Sequence, residues 1–236
     1  MCTVTVVPTV GGFRLACNRD ERFTRPTALP PARHQLGSRQ ALFPVDPVGP
    51  GTWIGVNDRG MAAALLNRTD NEDLRPARQA FRSRGLIVPA ILSCGSLEEV
   101  DALLRVFDPR DCAPFRVLIA HNGAAVLWMS DGDYLARSPM TLASPTLLTS
   151  SSLGDDRVDG PRRTLFEQIF SSSRDQWPRG QWEFHAHQWP ASPEISVRMR
   201  RSDACTVSLT MIEAGRQFST LRYHRVGARH TVVREI

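Results

Sequence analysis

The sequence predicts an α+β fold, antiparallel sheet covered by helices, and three observations predict it. Short β-prone runs follow one another across turn residues, as "CTVTVV" and "FRLACN" do on either side of Gly11-Gly12. Amphipathic helical runs come in groups after strands and do not alternate with them one for one, so βαβ units are absent. No internal repeat, low-complexity tract or linker divides the chain, and residues 1–236 are read as one domain.

Taken in order, residues 2–7 and 13–18 form a hairpin with Cys2 at its open end. Positions 24–50 are rich in Pro and Gly and read as a long surface loop able to overhang a site. Strands at 52–56 and 61–66 flank Asn57-Asp58-Arg59-Gly60, good hairpin-turn chemistry. "RQAFRSRGLIVPAILSC" contains a helix in which Pro89 is tolerable near the start or at a kink. "SLEEVDALLRVF" opens with Ser96 as N-cap and Glu99 three residues on, a capping box, followed by apolar residues at helical spacing. Strands return at "FRVLIAHN" and "AAVLWMS" across Asn122-Gly123. "GPRRTLFEQIF" is a third helix with Pro161 near its start, and "ACTVSLTMIEAGRQFSTLRYH" is a last hairpin turning at Glu213–Arg216.

Composition limits the function classes. At 236 residues and 42% hydrophobic content the chain can bury a sizeable core. No apolar run nears the roughly 20 residues that span a bilayer, and the N-terminus lacks a basic n-region, so a cytoplasmic location is expected. The net charge of +5 rests on 29 arginines with no lysine, scattered along the chain. Nucleic-acid binding is therefore not expected, because its footprint is basic runs interleaved with aromatics. The five cysteines are odd in number and irregular in spacing, which implies no disulfide framework. Cys94, Cys112 and Cys205 read as small buried hydrophobes.

Cys2 admits two readings: a plain strand cysteine, or a nucleophile that becomes the first residue once Met1 is trimmed. In the second, one residue carries both a thiol and an α-amine. The amine's ordinary pKa of about 7.7–8.0 lets it exchange protons with the thiol at neutral pH without a histidine. A nearby arginine favours the attacking thiolate, and Asp20 can orient the amine. Backbone or Asn N–H donors can hold the developing oxyanion. The corresponding reaction class is amide or acyl transfer through a thioester.

Three segments, "MCTVTVV", "LACNRDERFTRPT" and "GTWIGVNDRGMAAALLN", resemble the NRDE family, named for the tetrapeptide that stands here as Asn18-Arg19-Asp20-Glu21. That family includes the transport-and-Golgi-organisation proteins. It resembles in turn the cysteine N-terminal-nucleophile (Ntn) hydrolases, which cleave bile-salt conjugates and penicillin V. The resemblance implies a four-layer αββα sandwich, with Cys2 as nucleophile, Asp20 on the α-amine and Asn67 lining the oxyanion hole. Arg19 takes an active-site role, and Ser150 in "LLTSSS" stands where those hydrolases carry a second oxyanion asparagine. In the hydrolases the Arg and Asp lie three positions apart, whereas Arg19 and Asp20 are adjacent and the Arg position falls on Cys17. Neighbours on an extended strand face opposite sides, so both reach Cys2 only if the strand is broken there.

The remaining features are read more simply. Asn18 and Glu21 are supporting residues or substrate contacts, and Asn57 is a turn former. "WEFHAHQW" is read as an edge strand with His185 and His187 on one face. No third ligand accompanies that pair, so neither metal nor cofactor is expected. Arg200-Arg201 is read as a solvated pair, with an anionic substrate group as the other reading. The function expected is cysteine-dependent hydrolysis of a non-peptide amide or related acyl bond in a small molecule. The alternative is a non-catalytic carrier of haem or an acyl lipid using the same cleft.

Overall fold

The computed structural model describes residues 2–49, 51–68, 82–216 and 218–236. Two antiparallel sheets carry the fold. The first orders six strands as β10-β1-β2-β11-β12-β13, from β1 (Cys2–Thr9), β2 (Gly12–Arg22), β10 (Thr146–Thr149), β11 (Ala204–Gly215), β12 (Ser219–Arg225) and β13 (Thr231–Glu235). The second runs β3 to β9 in chain order: β3 (Leu29–Leu36), β4 (Arg39–Val45), β5 (Ile54–Asn57), β6 (Ala62–Asn67), β7 (Phe115–His121), β8 (Ala124–Ser130) and β9 (Leu135–Thr141). Helices α1 (Ile87–Leu92) and α2 (Leu97–Arg105) precede β7, and α3 (Asp155–Phe170) and α4 (Trp177–Ala186) follow β10.

Apolar packing defines the layers. Val4, Val6, Leu15 and Ile212 of the first sheet bury against Ile54, Val56, Leu66 and Leu118 of the second. The second sheet's other face, with Met61, Val117 and Val126, packs on Ile91 and Val100 of α1 and α2. On the first sheet's outer side Val7 and Leu147 meet Phe166, Phe170 and Phe184 of α3 and α4. The chain is thus the four-layer αββα sandwich. Burying each large apolar side chain contributes about 1.5–3 kcal/mol, which makes the inter-sheet layer the main driving term.

Between the first sheet and its helices lies a polar layer as well. β1 points Thr3 and Thr5 outward because successive strand residues alternate faces. Arg162 of α3, fully buried, donates to Thr3 Oγ1 at 2.9 Å and to the carbonyls of Ile195 and Ser196 at 3.0 and 2.7 Å. Gln181 and His185 of α4 meet Thr5 Oγ1 at 2.9 and 2.8 Å.

Several local expectations are met for the physical reasons given. Ser96 Oγ accepts from Glu99 N at 3.3 Å, and Glu99 Oε2 reaches back to Gly95 N at 2.7 Å, one residue beyond the usual box partner. Asn57 is buried and serves two purposes. Its Oδ1 closes the turn on the amides of Arg59 and Met61, and its Nδ2 holds the carbonyls of Leu92 and Cys94 at the end of α1. Others differ. The Pro-rich stretch is not a loop, since β3 and β4 form a hairpin within it. Prolines fit there because β3 is an edge strand, and its register slips between Leu29 and Ala32 where Pro30 and Pro31 sit. "WEFHAHQW" is mostly helix: Gly180, Gln181, Phe184 and His185 form the buried stripe of α4, a 3.6 period that the alternating aromatics mask. Pro161 lies inside α3, which begins at Asp155. The expected helix within 78–94 resolves into a single turn at Arg84–Leu86 leading into α1, and residues 78–81 lie outside the described region. No helix among the described residues is long and apolar enough to cross a membrane.

Candidate active site

The open end of the β1–β2 hairpin borders a cavity of about 340 Å³. Cys2, Arg19, Asp20, Glu21 and Asn67 all line it, together with Trp53, Arg25, Asp46, Arg84 and Arg201. Strand pairing sets Cys2 opposite Arg19 and Val4 opposite Cys17, so these four side chains share the inter-sheet face. Asp20 belongs to the opposite face. It reaches the same cavity at the strand end, where β11 carries an extra residue: Thr206 pairs with Asp20 and Ser208 with Arg19, leaving Val207 as a bulge. Bulges of this kind locally re-aim side chains beside sites. The expected break of the strand at Arg19-Asp20 does not occur, since β2 runs unbroken from Gly12 to Arg22; the irregularity lies in its partner β11 instead.

Each group has a defined environment. Cys2 is 5% exposed. Its thiol pKa is lowered, chiefly by a hydrogen bond from the Cys17 thiol; burial opposes this and the Arg19 charge adds to it. Cys17 is pushed well up by burial and by the same pairing, so it keeps the proton. A thiol donor thus occupies the position at which the resemblance leads one to look for arginine. Replacing Cys17 with alanine is expected to move the pH midpoint of Cys2 alkylation upward. Iodoacetamide labelling followed across pH by mass spectrometry measures it, and an unmoved midpoint would reject the Cys17 donor.

Arg19 is nearly buried, with its guanidinium 2.6 Å from Asp46, 3.4 Å from Glu21 and 4.2 Å above the Trp53 ring. Arg25 closes the cluster on Asp46 at 2.9 Å and on Glu21 at 3.6 Å. Such a network fixes one wall of the cavity and leaves Arg19 little freedom to turn toward a substrate. Asp20 accepts from Thr206 Oγ1 at 2.6 Å, and its carboxyl pKa is raised by burial against the opposing pull of Arg162 and Thr206.

Two of the expected site residues lie off the cavity. Ser150 Oγ accepts from the Cys2 backbone nitrogen at 3.0 Å, and Ser150 N donates to the Cys2 carbonyl at 2.9 Å. Its hydroxyl therefore stands at the Cys2 backbone nitrogen. Asn18 is buried on the helix side, where Nδ2 donates to the carbonyls of His185 and Val197, both at 2.9 Å, and ties β2 to the end of α4. Asn67 ends β6 and borders the cavity beside Leu65. His185 is committed to Thr5 while the His187 ring meets Trp189 edge-on at 4.8 Å, so the two histidines form no shared face. Arg84, Trp53 and Asp46 were not singled out from sequence. Trp53 stood in plain view in "GTWIGV", whereas nothing local distinguishes Asp46 or Arg84 from the other acids and arginines.

Comparison with known proteins agrees with this architecture. Over its whole length the chain is similar to penicillin V acylase from Agrobacterium tumefaciens, with a TM-score of 0.58 at 11% identity and 86% of that chain covered. An N-acylethanolamine-hydrolyzing acid amidase ortholog from Caenorhabditis elegans gives a TM-score of 0.62 at 13% identity, covering 90% of this chain and 92% of that one. A variant of conjugated bile acid hydrolase from Clostridium perfringens gives 0.58 at 11%, covering 100% and 92%. At these identities the likeness is one of fold, the Ntn-hydrolase fold. No curated protein matches the chain. The model of one family, Transport and Golgi organisation 2, matches residues 1–176, three quarters of the sequence and every residue lining the cavity except Arg201, and the chain belongs to that family.

Proposed function

We propose that the protein is a cysteine hydrolase that cleaves an amide or related acyl bond in a small molecule, with Cys2 as nucleophile. The observation that carries this reading is the coincidence of three features at one atom group. Cys2 heads a strand paired on both sides, its thiol pKa is lowered, and its backbone nitrogen is held by Ser150 Oγ at 3.0 Å beside a cavity. A strand cysteine kept only for packing needs none of them. The similarity of fold to enzymes named as acylase, amidase and bile acid hydrolase supports the same reading.

Removal of Met1 frees the α-amine of Cys2. The thiolate attacks the acyl carbon, forming the C–S bond while the carbonyl oxygen takes the electron pair. Asn67 and nearby backbone N–H groups are the donors available for that oxyanion. Collapse breaks the C–N bond, and the departing amine takes its proton from the Cys2 ammonium. Water then attacks the thioester, gives its proton to the amine, and releases the acid with the thiolate restored. Ser150 orients the amine from one side, and Asp20 supplies the carboxylate that the resemblance assigns to it. The charged walls of the cavity, with Trp53 and Leu65 as their apolar part, suit a short acyl chain on a polar leaving group better than a resident haem or a long-chain lipid.

Intact-mass spectrometry tests the reading directly. The purified protein is expected to lack Met1 and, when mixed rapidly with N-octanoylglycine and quenched in acid, to gain the mass of one octanoyl group mapped to Cys2. Retained methionine, or no acyl adduct alongside no turnover over a panel of N-acyl amides, would count decisively against it.

A further inference from the structure

We propose that Arg84 is the anion-reading residue of the Cys2 cavity, and that the molecule processed there carries a carboxylate close to its scissile acyl bond. The assignment rests on the proposed nucleophile for which bond is cut, while recognition of the carboxylate stands on Arg84 itself.

The turn that holds Arg84 is pinned against the cavity. Ser83 Oγ accepts from Gly85 N at 3.2 Å, and the Gly85 carbonyl accepts from Thr52 N at 2.9 Å, next to Trp53. Gly51 and Gly85 touch backbone to backbone: a Cβ on Gly51 would stand 2.4 Å from the Gly85 carbonyl. The whole segment Ser83-Arg84-Gly85 lines the same cavity as Cys2.

The guanidinium placed there is under-used. Its Nη1 donates to the Pro114 carbonyl at 2.7 Å, and no carboxylate pairs with it among the described residues. Arg19 and Arg25, in the same wall, are both neutralised by Asp46 and Glu21. A guanidinium has five N–H donors, and withdrawing its charge from water without a counter-ion is costly. Burial accordingly lowers the Arg84 pKa. A ligand carboxylate relieves that cost through a bidentate pair. Arg22 also lines the cavity but is exposed to solvent, so the half-buried Arg84 is the site where a ligand carboxylate, matching the planar fork of its guanidinium, relieves the most desolvation.

Two alkylating reagents that differ in charge read this out on the full protein. Iodoacetate and iodoacetamide both form an Sγ–C bond on Cys2 as the C–I bond breaks and iodide leaves. Only the first presents a carboxylate. In Arg84→Gln the iodoacetate-to-iodoacetamide rate ratio at Cys2 is expected to fall about tenfold or more, the scale of one charge-assisted hydrogen-bonded pair. Arg84→Lys restores part of it, since lysine returns the charge without the planar fork. A ratio unchanged in Arg84→Gln overturns the assignment. Calorimetric binding to the Cys2→Ala protein, which cannot turn over, separates the two proposals. N-octanoylglycine is expected to bind about tenfold tighter than N-octanoylglycinamide, and Arg84→Gln is expected to erase the difference. Equal affinity, or no binding of the acid, overturns the carboxylate reading. A Cys2 unreactive to both reagents with the carboxylate preference intact removes the nucleophile and keeps Arg84.

Discussion

Cys2→Ala and Cys2→Ser proteins are expected to fold and to hydrolyse N-octanoylglycine at least about a thousandfold more slowly than the wild-type protein, the scale on which losing a covalent nucleophile acts. Folding is expected to survive because the strand-end pairing is made by backbone. The Cys2 nitrogen bonds Ser150 Oγ at 3.0 Å and the Cys2 carbonyl accepts from Ser150 N at 2.9 Å, neither of which involves the thiol. Losing the buried sulfur leaves a small void costing about 1 kcal/mol, which thermal denaturation will report separately. A second protein sharpens the result. One extra alanine ahead of Cys2 keeps the thiol, Cys17 and Arg19 but moves the α-amine one residue away. Its rate is expected to fall by about a hundredfold to ten-thousandfold, the contribution of a positioned general acid–base. Turnover by Cys2→Ala near the wild-type rate, or full activity of the extended protein, sinks the amine-assisted mechanism. Amine release followed over time measures both.

What could be foreseen from sequence divides along the line between local and tertiary chemistry. The β1–β2 hairpin was legible because Gly11-Gly12 separates two β-prone runs, and the pairing of Cys2 with Arg19 confirms its open end. The Asn57 turn and the Ser96 cap were legible because each is decided within a few residues. The β3–β4 hairpin was hidden because prolines oppose strands in general, and only the sheet shows that β3 is an edge where they are tolerated. α4 was hidden because its aromatics happen to alternate, while its buried stripe includes Gly180, Gln181 and His185, none of which scores as apolar.

The candidate site divides in the same way. Its N-terminal members were visible through the resemblance, and the cavity gathers Cys2, Arg19, Asp20, Glu21 and Asn67. The puzzle of adjacent Arg19 and Asp20 was also visible, but β2 does not break there, and the irregularity at Val207 lies in a strand nearly two hundred residues later, beyond the reach of local reading. Arg84 was invisible for a different reason. Its interest lies in having no carboxylate paired with it among the described residues, and such a lack has no signature in a sequence of 29 arginines.

The second large effect lies behind the cavity, in the polar layer under α3 and α4, and it links folding to pH. His185 is fully buried, its Nε2 2.8 Å from Thr5 Oγ1, and its pKa is lowered to about 3 by burial and by the neighbouring Arg162 charge. A histidine whose folded pKa lies below its ordinary 6.5 binds its proton more readily when unfolded. The stability it contributes is therefore complete above about pH 6.5 and is lost as the pH falls from there toward 3. Across the whole window the loss is on the order of 4 kcal/mol, and between pH 7 and 4.5 it is about 2–3 kcal/mol. Asp20 works against this, since a carboxyl with a raised folded pKa takes its proton early and returns some stability on acidification. The two contributions are separated by His185→Gln, which retains an amide able to bond Thr5 and removes the titration while Asp20 and Arg162 stay. Urea denaturation of both proteins at pH 7 and pH 4.5 is expected to show the wild type losing about 2 kcal/mol more than the variant. The variant starts lower at neutral pH, because glutamine fills the histidine's space imperfectly, so the slope with pH decides the matter and the absolute stability does not. Parallel pH profiles for the two proteins would mean that His185 is already protonated, or exposed, in the fold. An imidazole resonance that stays unshifted from pH 8 down to pH 5 checks the same point without denaturant. Because Asn18 bonds the His185 carbonyl at 2.9 Å and is the β2 neighbour of Arg19, acid loosening of α4 is expected to reach the Cys2 cavity through this contact, lowering turnover below pH 5 before the protein unfolds.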